Sequence, residues 1–249
     1  MDGIIIQART GSTRLPGKIL LPFYGEKRII DIQIETIRAA CPGMRMVLAT
    51  TTRPQDDVLA DVAREKGIDC YRGSEDNVLG RFIGAAEQFG INRLIRVCSD
   101  NPFLRADSFR TLFEVHDNQP ADYVAFGWPD GRPTIKSHIG LFAELTTLDA
   151  LRRVASLTDE QLYREHVTIY LYTHPDAFSV RLLPLPAELE GRQDLRFTLD
   201  TTDDFCLLAR LYAEWYENTD RSLPALLRTV DAHPEYLEKM RENIRRNEK

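Results

Sequence analysis

The chain has 249 residues, of which 43% are hydrophobic, and 32 Lys and Arg against 38 Asp and Glu give it a formal charge of −6. This length allows one large α/β domain or two small ones, and the negative charge argues against a general nucleic-acid coat or a polybasic membrane binder. An anionic ligand must therefore be bound by a local group of cations.

No apolar run approaches the ~20 residues that a membrane-spanning helix needs. The first three residues lead directly into an apolar segment, without the pattern of a signal peptide. The four cysteines are widely spaced and form no C-x-x-C pair, which favours reduced thiols. The sequence therefore predicts a cytoplasmic protein with neither a membrane nor a nucleic-acid partner.

The first 125 residues alternate short apolar strands with amphipathic helices. The predicted strands are residues 3–7, 46–49, 68–71 and 94–98, and the apolar stripes of the intervening helices span 30–41, 58–63 and 78–86. Strands separated by single helices form right-handed crossovers in a sheet that is covered on both faces. This pattern predicts an α/β fold with a doubly wound, mostly parallel sheet.

The alternation changes after residue 122. A stretch rich in Pro and Gly at 128–133 precedes an apolar segment at 139–145, helices near 147–154 and 159–172, and a strand at 178–183. A further strand is predicted at 195–199, followed by a helix with an apolar stripe. We interpret residues 1–249 as a single domain, with an inserted subregion at about 126–190 and a C-terminal helical extension at 222–249.

The loop after the first strand, residues 8–18, reads Ala-Arg-Thr-Gly-Ser-Thr-Arg-Leu-Pro-Gly-Lys. Its glycines let backbone N–H groups approach anionic oxygens, and its three cations supply charge-assisted hydrogen bonds. It is not a Walker A motif, because five residues separate Gly11 from Gly17 and Ile19 follows the lysine. The loop indicates a phosphate site, and the alternative is a solvated surface turn.

Two aspartates follow predicted strands: Asp100 comes after 94–98 and Asp200 after 195–199. If both strands belong to one parallel sheet, the two carboxylates share an edge with the 8–18 loop and could hold Mg²⁺ beside a polyphosphate. The alternative is that each aspartate caps the helix that follows it. Their joint occurrence favours the metal site.

These segments together resemble the cytidylyltransferases that make CMP-sugars, in particular the branch of spore-coat polysaccharide biosynthesis proteins. The main motif of the resemblance is residues 5–18. Further similarity follows in the expected order, in the segments 73–79, 99–102, 164–168 and 199–203. The resemblance covers most of residues 3–205.

The resemblance implies a nucleotide-diphosphosugar-transferase-like fold in a homodimer, whose inserted subregion serves the acceptor or the dimer contact. The implied reaction joins CTP and a sialic-acid-like or related sugar acid into a CMP-sugar and releases pyrophosphate. Arg14 and Lys18 would be the catalytic cations, and Asp100 and Asp200 would bind Mg²⁺. The implied nucleotide-binding residues are Ala8, Arg9, Thr10, Gly11, Ser12, Arg14, Lys18, Ser74 and Asn77.

Arg164, Glu165 and His166 lie on a predicted helix and could reach the acidic sugar, although a Glu-His neighbour pair on a helix is more often surface packing. Two other functions stay open. A glycosyltransferase of similar fold would use a nucleotide-sugar, but Ser99 and Asn101 flank Asp100 where such enzymes commonly have an Asp-x-Asp motif. A non-catalytic nucleotide-binding protein could keep the loop without turnover.

Overall fold

A computed structural model describes residues 1–247 of the chain. Within that range there are nine strands: β1 (Asp2–Gln7), β2 (Pro22–Tyr24), β3 (Lys27–Arg28), β4 (Arg45–Thr51), β5 (Asp69–Gly73), β6 (Arg93–Cys98), β7 (Tyr123–Gly127), β8 (Glu144–Thr147) and β9 (Val180–Pro184). The short strands β2 and β3 form a separate antiparallel hairpin, and the other seven form one sheet.

The seven-stranded sheet has the order β5-β4-β1-β6-β8-β7-β9, and β8 is its one described strand that runs against the others. Strand β1 lies between β4 and β6, so the chain winds first to one side of β1 and then to the other. Ligands of doubly wound sheets bind at such a reversal, outside the carboxyl ends of the strands. The predicted mostly parallel, doubly wound sheet is confirmed.

Helices cover both faces of this sheet. Within residues 1–247 they are α1 (Ile29–Ala40), α2 (Asp57–Lys66), α3 (Val78–Gln88), α4 (Phe109–Asn118), α5 (Leu148–Leu157), α6 (Gln161–Glu165), α7 (Ile169–Thr173), α8 (Thr202–Tyr216), α9 (Leu223–Asp231) and α10 (Pro234–Arg246). The side chains of β1 alternate between the two faces: Ile4 and Ile6 join one buried apolar cluster and Ile5 joins the other. No helix in this range is long and apolar enough to cross a membrane.

Two predicted elements are wrong. The segment 195–199 is extended but belongs to no sheet, because its backbone N–H groups bond to loops: that of Phe197 donates to the carbonyl of His138 (2.9 Å), and that of Leu199 to the carbonyl of Asp100 (2.9 Å). The predicted helix at 159–172 is broken into α6 and α7. Between them Thr168 is buried, and its hydroxyl donates to Glu144 (3.1 Å).

The later part of the chain extends the main sheet instead of forming a separate layer. Strand β7 begins at Tyr123, and β8 and β9 follow within the predicted inserted subregion, 126–190. Helices α9 and α10 occupy the predicted C-terminal extension. Its last two residues, Glu248 and Lys249, lie outside the described residues.

Candidate active site

Five chain segments meet at the carboxyl edge of the parallel strands. Four of them directly follow a strand: 8–18 after β1, 52–56 after β4, 74–77 after β5 and 99–101 after β6. The fifth, residues 199–201, is joined to this edge by the hydrogen bond from Leu199 to Asp100. These five segments, four of which contain predicted site residues, therefore surround the point between β1 and β6 where the winding of the sheet reverses.

A buried carboxylate that the sequence analysis missed holds the 8–18 loop in place. Asp56 is 1% exposed, and its Oδ1 accepts hydrogen bonds from the backbone N–H (2.7 Å) and the hydroxyl (2.6 Å) of Thr10. Its Oδ2 accepts a hydrogen bond from the hydroxyl of Thr51, at the end of β4. The one sequence signal for Asp56 is its position shortly after a strand that ends at the same edge.

Backbone contacts fix the loop further. The N–H of Ala8 donates to the carbonyl of Ala49 (3.2 Å), which continues the pairing of β1 with β4. The carbonyl of Thr10 accepts from the N–H groups of Ser12 (2.8 Å) and Gly17 (2.9 Å). Gly17 has a φ of 66°, a left-handed conformation that favours glycine. The loop is therefore held by its own backbone before any ligand binds.

Replacing Asp56 with Ala is expected to lower the free energy of unfolding by roughly 2–4 kcal/mol, because the change leaves three donors in or near the core without an acceptor. Urea denaturation would measure the loss. The control is Asp61→Ala, which removes an exposed carboxylate paired with Arg64 on α2 (2.7 Å) and should change stability by no more than about 0.5 kcal/mol. Equal losses in the two variants would contradict the role given to Asp56.

Lys18 lies between the two aspartates that were predicted to bind metal. Its Nζ is 3.4 Å from Oδ2 of Asp100 and 3.6 Å from Oδ1 of Asp200, and it donates to the carbonyl of Leu199. The side chains of Lys18 and Asp200 are 13% and 11% exposed, whereas that of Asp100 is 32% exposed. The structure thus brings together three residues that are far apart in the sequence.

Neither aspartate is a helix cap. Helix α8 begins after Thr201, whose hydroxyl accepts from the backbone N–H of Asp204 (3.2 Å). The first helical turn after Asp100, Ala106–Ser108, begins after Arg105. The alternative in which these two aspartates only cap helices is therefore wrong.

A buried ion-pair network, which the sequence analysis also missed, fixes Asp200. The side chain of Arg196 is fully buried and donates to Oδ2 of Asp200 (3.0 Å) and to both carboxylate oxygens of Asp204 (2.8 Å each). Asp204 also accepts from the backbone N–H of Asp200 (3.0 Å). Burial by itself would lower the pKa of Arg196, but the hydrogen bonds and charges of Asp204 and Asp200 raise it, so the guanidinium stays charged.

Helix α1 holds the turn that carries Asp100. Gln33 is buried on this helix, and its Nε2 donates to the carbonyls of Cys98 (2.9 Å) and Asn101 (2.9 Å), one on each side of the turn. Asp100 and Asp200 are therefore both carried by backbone that buried side chains hold in place. Such support keeps the two carboxylates converged on one point.

Arg14, the second predicted catalytic cation, is the more exposed of the two. Its side chain is 50% exposed, and NH2 lies 2.9 Å from Oδ1 of Asp200. NH1 donates to Oδ1 of Asn247 (2.8 Å), just beyond the end of α10. Arg14 and Lys18 thus both contact Asp200, so two cations of the 8–18 loop meet at this carboxylate.

The predicted base-binding segment lies on the other side of the loop. NH1 of Arg9 is 4.0 Å from Oε1 of Glu75, and a Cβ added at Gly11 would lie 3.5 Å from the same oxygen. Arg53 also forms an ion pair with Glu75. The loop and the 74–77 segment are therefore neighbours.

Ser74 and Asn77 have structural partners of their own. Oγ of Ser74 accepts from the backbone N–H of Asn77 (3.1 Å), and Oδ1 of Asn77 caps α3 by accepting an N–H from its first turn (2.8 Å). The buried Arg81, which the sequence analysis did not single out, donates to the carbonyl of Ser74. Burial, followed by the nearby charge of Arg9, lowers the pKa of Arg81 to about 10, which leaves it protonated at neutral pH.

The predicted acceptor residues lie beside this base-binding segment. Helix α6 meets the chain just before α3, where Nε2 of Gln161 donates to the carbonyl of Asp76 (2.9 Å). Arg164 forms an ion pair with Asp159, and the next two residues, Glu165 and His166, are exposed. The segment 164–166 is thus at the surface, and the fold brings it near the 74–77 segment although the two are far apart in the sequence.

A metal ion would find few protein ligands here. Within residues 1–247 there is no group of three or more His, Cys, Asp or Glu side chains that could hold one. Asp100 and Asp200 supply two converging carboxylates, and the ammonium of Lys18 lies within 3.6 Å of both. Two carboxylates suit a cation that takes its remaining ligands from substrate phosphates and water, as Mg²⁺ does.

A family model described as cytidylyltransferase matches residues 3–230. The chain belongs to the cytidylyltransferase family. The match includes the 8–18 loop and both clustered aspartates, and it ends before α10. This cytidylyltransferase is therefore a nucleotidyltransferase enzyme, as the resemblance implied, and the glycosyltransferase and non-catalytic alternatives are set aside.

This chain is similar to several known proteins over most of its length. It is 32% identical to the spore coat polysaccharide biosynthesis protein SpsF of Bacillus subtilis, over 93% of this chain and 94% of that protein. It is 27% identical to a 3-deoxy-manno-octulosonate cytidylyltransferase of Chlorobium chlorochromatii, over 77% and 81%. A solved cytidylyltransferase structure from Leptospira borgpetersenii superposes with a TM-score of 0.83 at 26% identity, over 95% and 96%.

Proposed function

We propose that this cytidylyltransferase joins CTP and a sugar acid, sialic-acid-like or related, into a CMP-sugar for surface polysaccharide or glycan biosynthesis and releases pyrophosphate. The observation that carries the proposal is that Lys18, at the end of the 8–18 loop, lies between the carboxylates of Asp100 and Asp200. The names of two relatives support the acceptor class and the context: one is a 3-deoxy-manno-octulosonate cytidylyltransferase, and the other is a spore coat polysaccharide protein.

The 8–18 loop would bind the triphosphate. The N–H groups of Thr10 and Ser12 are used by Asp56 and by the carbonyl of Thr10, so the N–H of Gly11 between them would meet a phosphate oxygen, and Arg14 and Lys18 would neutralise the phosphates. When the sugar hydroxyl bonds to the α-phosphorus and the bond to pyrophosphate breaks, negative charge develops on the leaving oxygens, and preorganised cations stabilise it. Their contacts with Asp200 support this role because they hold both cations on the same side of the loop.

Cytosine and ribose would lie towards the 74–77 segment. The backbone groups of Ala8 and Arg9, with Ser74 and Asn77, would face the base and the sugar. The hydroxyl of Ser74 accepts one hydrogen bond in the turn and can still donate one. The amide oxygen of Asn77 is used by the helix cap, so this residue would offer its NH₂ group to a ligand.

Asp100 and Asp200 would hold Mg²⁺. When bound, the ion would supply positive charge against the phosphate oxygens and polarise them. The chain's own part is to keep the two carboxylates converged, through Gln33 on one side and Arg196 on the other. The position of the Lys18 ammonium supports the assignment, since a cation already lies between the two carboxylates.

The acceptor would approach from the inserted subregion. Arg164 would meet the carboxylate of the sugar acid, with Glu165 and His166 nearby, because α6 lies against the start of α3. We place the contact of a homodimer in the same subregion. Leu157 and Leu162 are 57% and 48% exposed there, and a dimer contact would cover them.

Pyrophosphate release from CTP and Mg²⁺, measured with a panel of nonulosonic and octulosonic acids, tests the proposal. We expect at least one acid to give turnover, and at least about tenfold less turnover when ATP or GTP replaces CTP, because the base site is edged by backbone groups and suits a pyrimidine. Neutral sugars of similar size are the control. Turnover with neutral sugars and none with acids would refute the acceptor class, and equal use of a purine triphosphate would refute the base site.

A further inference from the structure

The C-terminal helix α10 reaches the active site, although it lies beyond the residues that the family model matches. Two asparagines at its end make the contacts. Asn243 is 3% exposed, and Asn247 follows the last helical residue. They lie one helical turn apart, on the side of α10 that faces Arg14 and Asp204.

Asn243 anchors the helix to the network that holds Asp200. Its Nδ2 donates to Oδ1 of Asp204 (2.9 Å), the oxygen that also accepts from Nε of Arg196 (2.8 Å). Because Asp204 in turn holds the backbone N–H of Asp200 (3.0 Å), the end of α10 is tied to one wall of the site.

Asn247 connects this anchored helix with the loop. Its Oδ1 accepts from NH1 of Arg14 (2.8 Å), and its Nδ2 donates to the carbonyl of Asn243 (2.9 Å). Both polar atoms of the amide are thus used, and the hydrogen bond to Asn243 orients the amide oxygen towards Arg14. The contact joins residues that are 233 positions apart in the chain.

A long, half-exposed arginine loses much side-chain freedom when it binds a ligand, and each such side chain costs roughly 0.5–1.5 kcal/mol of binding free energy. A neutral amide that holds NH1 before binding removes part of that cost, and it adds no second negative charge to that of Asp200, which lies 2.9 Å from NH2. We propose that Asn247 is a positioning residue that preorganises Arg14 for the triphosphate of CTP. This inference rests on the proposed role of Arg14 as a phosphate-binding cation.

Calorimetry in the presence of Mg²⁺ measures the affinity for CTP, and the test compares the unmodified chain with its Asn247 and Arg14 variants. We expect Asn247→Ala to weaken CTP binding about two- to tenfold, the range that corresponds to the ordering of one such side chain. In an Arg14→Ala background the same change should have no further effect, because Asn247 acts through Arg14. A merely structural contribution of Asn247 would weaken binding equally in both backgrounds.

Asn118→Ala is the matched control. Asn118 also lies at the end of a helix, and its Nδ2 also donates to the carbonyl four residues earlier (2.9 Å), but it is exposed and this hydrogen bond stays within α4. We expect it to leave the affinity for CTP unchanged. Unchanged or tighter binding by Asn247→Ala, with Arg14→Ala weakened, would overturn the inference alone. Unchanged binding by Arg14→Ala would instead overturn the proposed role of Arg14.

Discussion

Asp100→Asn and Asp200→Asn are each expected to abolish turnover that depends on a divalent cation, with little change in melting temperature. Asn keeps the shape of the side chain but removes the charge that holds a hard dication. The fold should survive, because Arg196 keeps its two bonds to Asp204 and because the side chain of Asp100 is about one-third exposed. Turnover and thermal unfolding, measured on the same preparations, check both statements.

Asp203→Asn is the control for these variants. Asp203 is on the first turn of α8, close in sequence to Asp200, but its side chain is 52% exposed and pairs with Lys239 (2.8 Å). We expect this variant to retain turnover. Full activity of Asp100→Asn or Asp200→Asn at ordinary Mg²⁺ would remove that residue from the metal site.

Lys18→Met is expected to lower kcat by about 10²–10³, or roughly 2.7–4 kcal/mol, the scale for removing one preorganised donor from developing charge. Methionine keeps most of the aliphatic stem of a side chain that is 13% exposed, so packing around it should be preserved. Asp200 retains its contacts with Arg14 and Arg196, which limits the effect on stability. Steady-state pyrophosphate release with CTP and the active sugar acid gives the measurement.

Lys27→Met provides the comparison for a lysine that is paired but remote from the loop. Its Nζ lies 2.7 Å from Glu35, and its side chain is 45% exposed, so its removal should leave kcat unchanged. A kcat of Lys18→Met close to that of the unmodified protein would show that Lys18 does not stabilise the leaving phosphates.

Local sequence pattern was enough to predict β1 and to single out the loop that follows it. Three consecutive isoleucines predict a strand that is buried on both faces, and Ile4 to Ile6 are fully buried. The following loop has its glycines and cations within eleven residues, so their chemistry can be interpreted without knowing any distant contact. The mostly parallel sheet followed in the same way, from strands and helices that alternate at regular spacing.

The sequence pattern did not predict the pairing of a segment that bonds to loops instead of to a strand. The apolar residues at 195–199 predicted a strand. All five residues are buried, and a buried extended segment has the same apolar pattern whether its partner is a strand or a loop. Asp200 nevertheless reaches Lys18, since the hydrogen bond from Leu199 to Asp100 brings the segment to the sheet edge. The predicted location was correct and the predicted sheet pairing was not.

The sequence by itself predicted the alternation of strands and helices in the first part of the chain and the family, and both are confirmed. It also singled out the 8–18 loop, whose phosphate-binding role stays a prediction. Tertiary structure alone decided which side chains hold that loop and its carboxylates: Asp56 bonds to Thr10 from 46 positions away, and Asn247 to Arg14 from 233 positions away. Such contacts leave no periodic signal, because a buried carboxylate or amide is recognised by the donors that surround it, and chain folding brings those donors from unrelated segments.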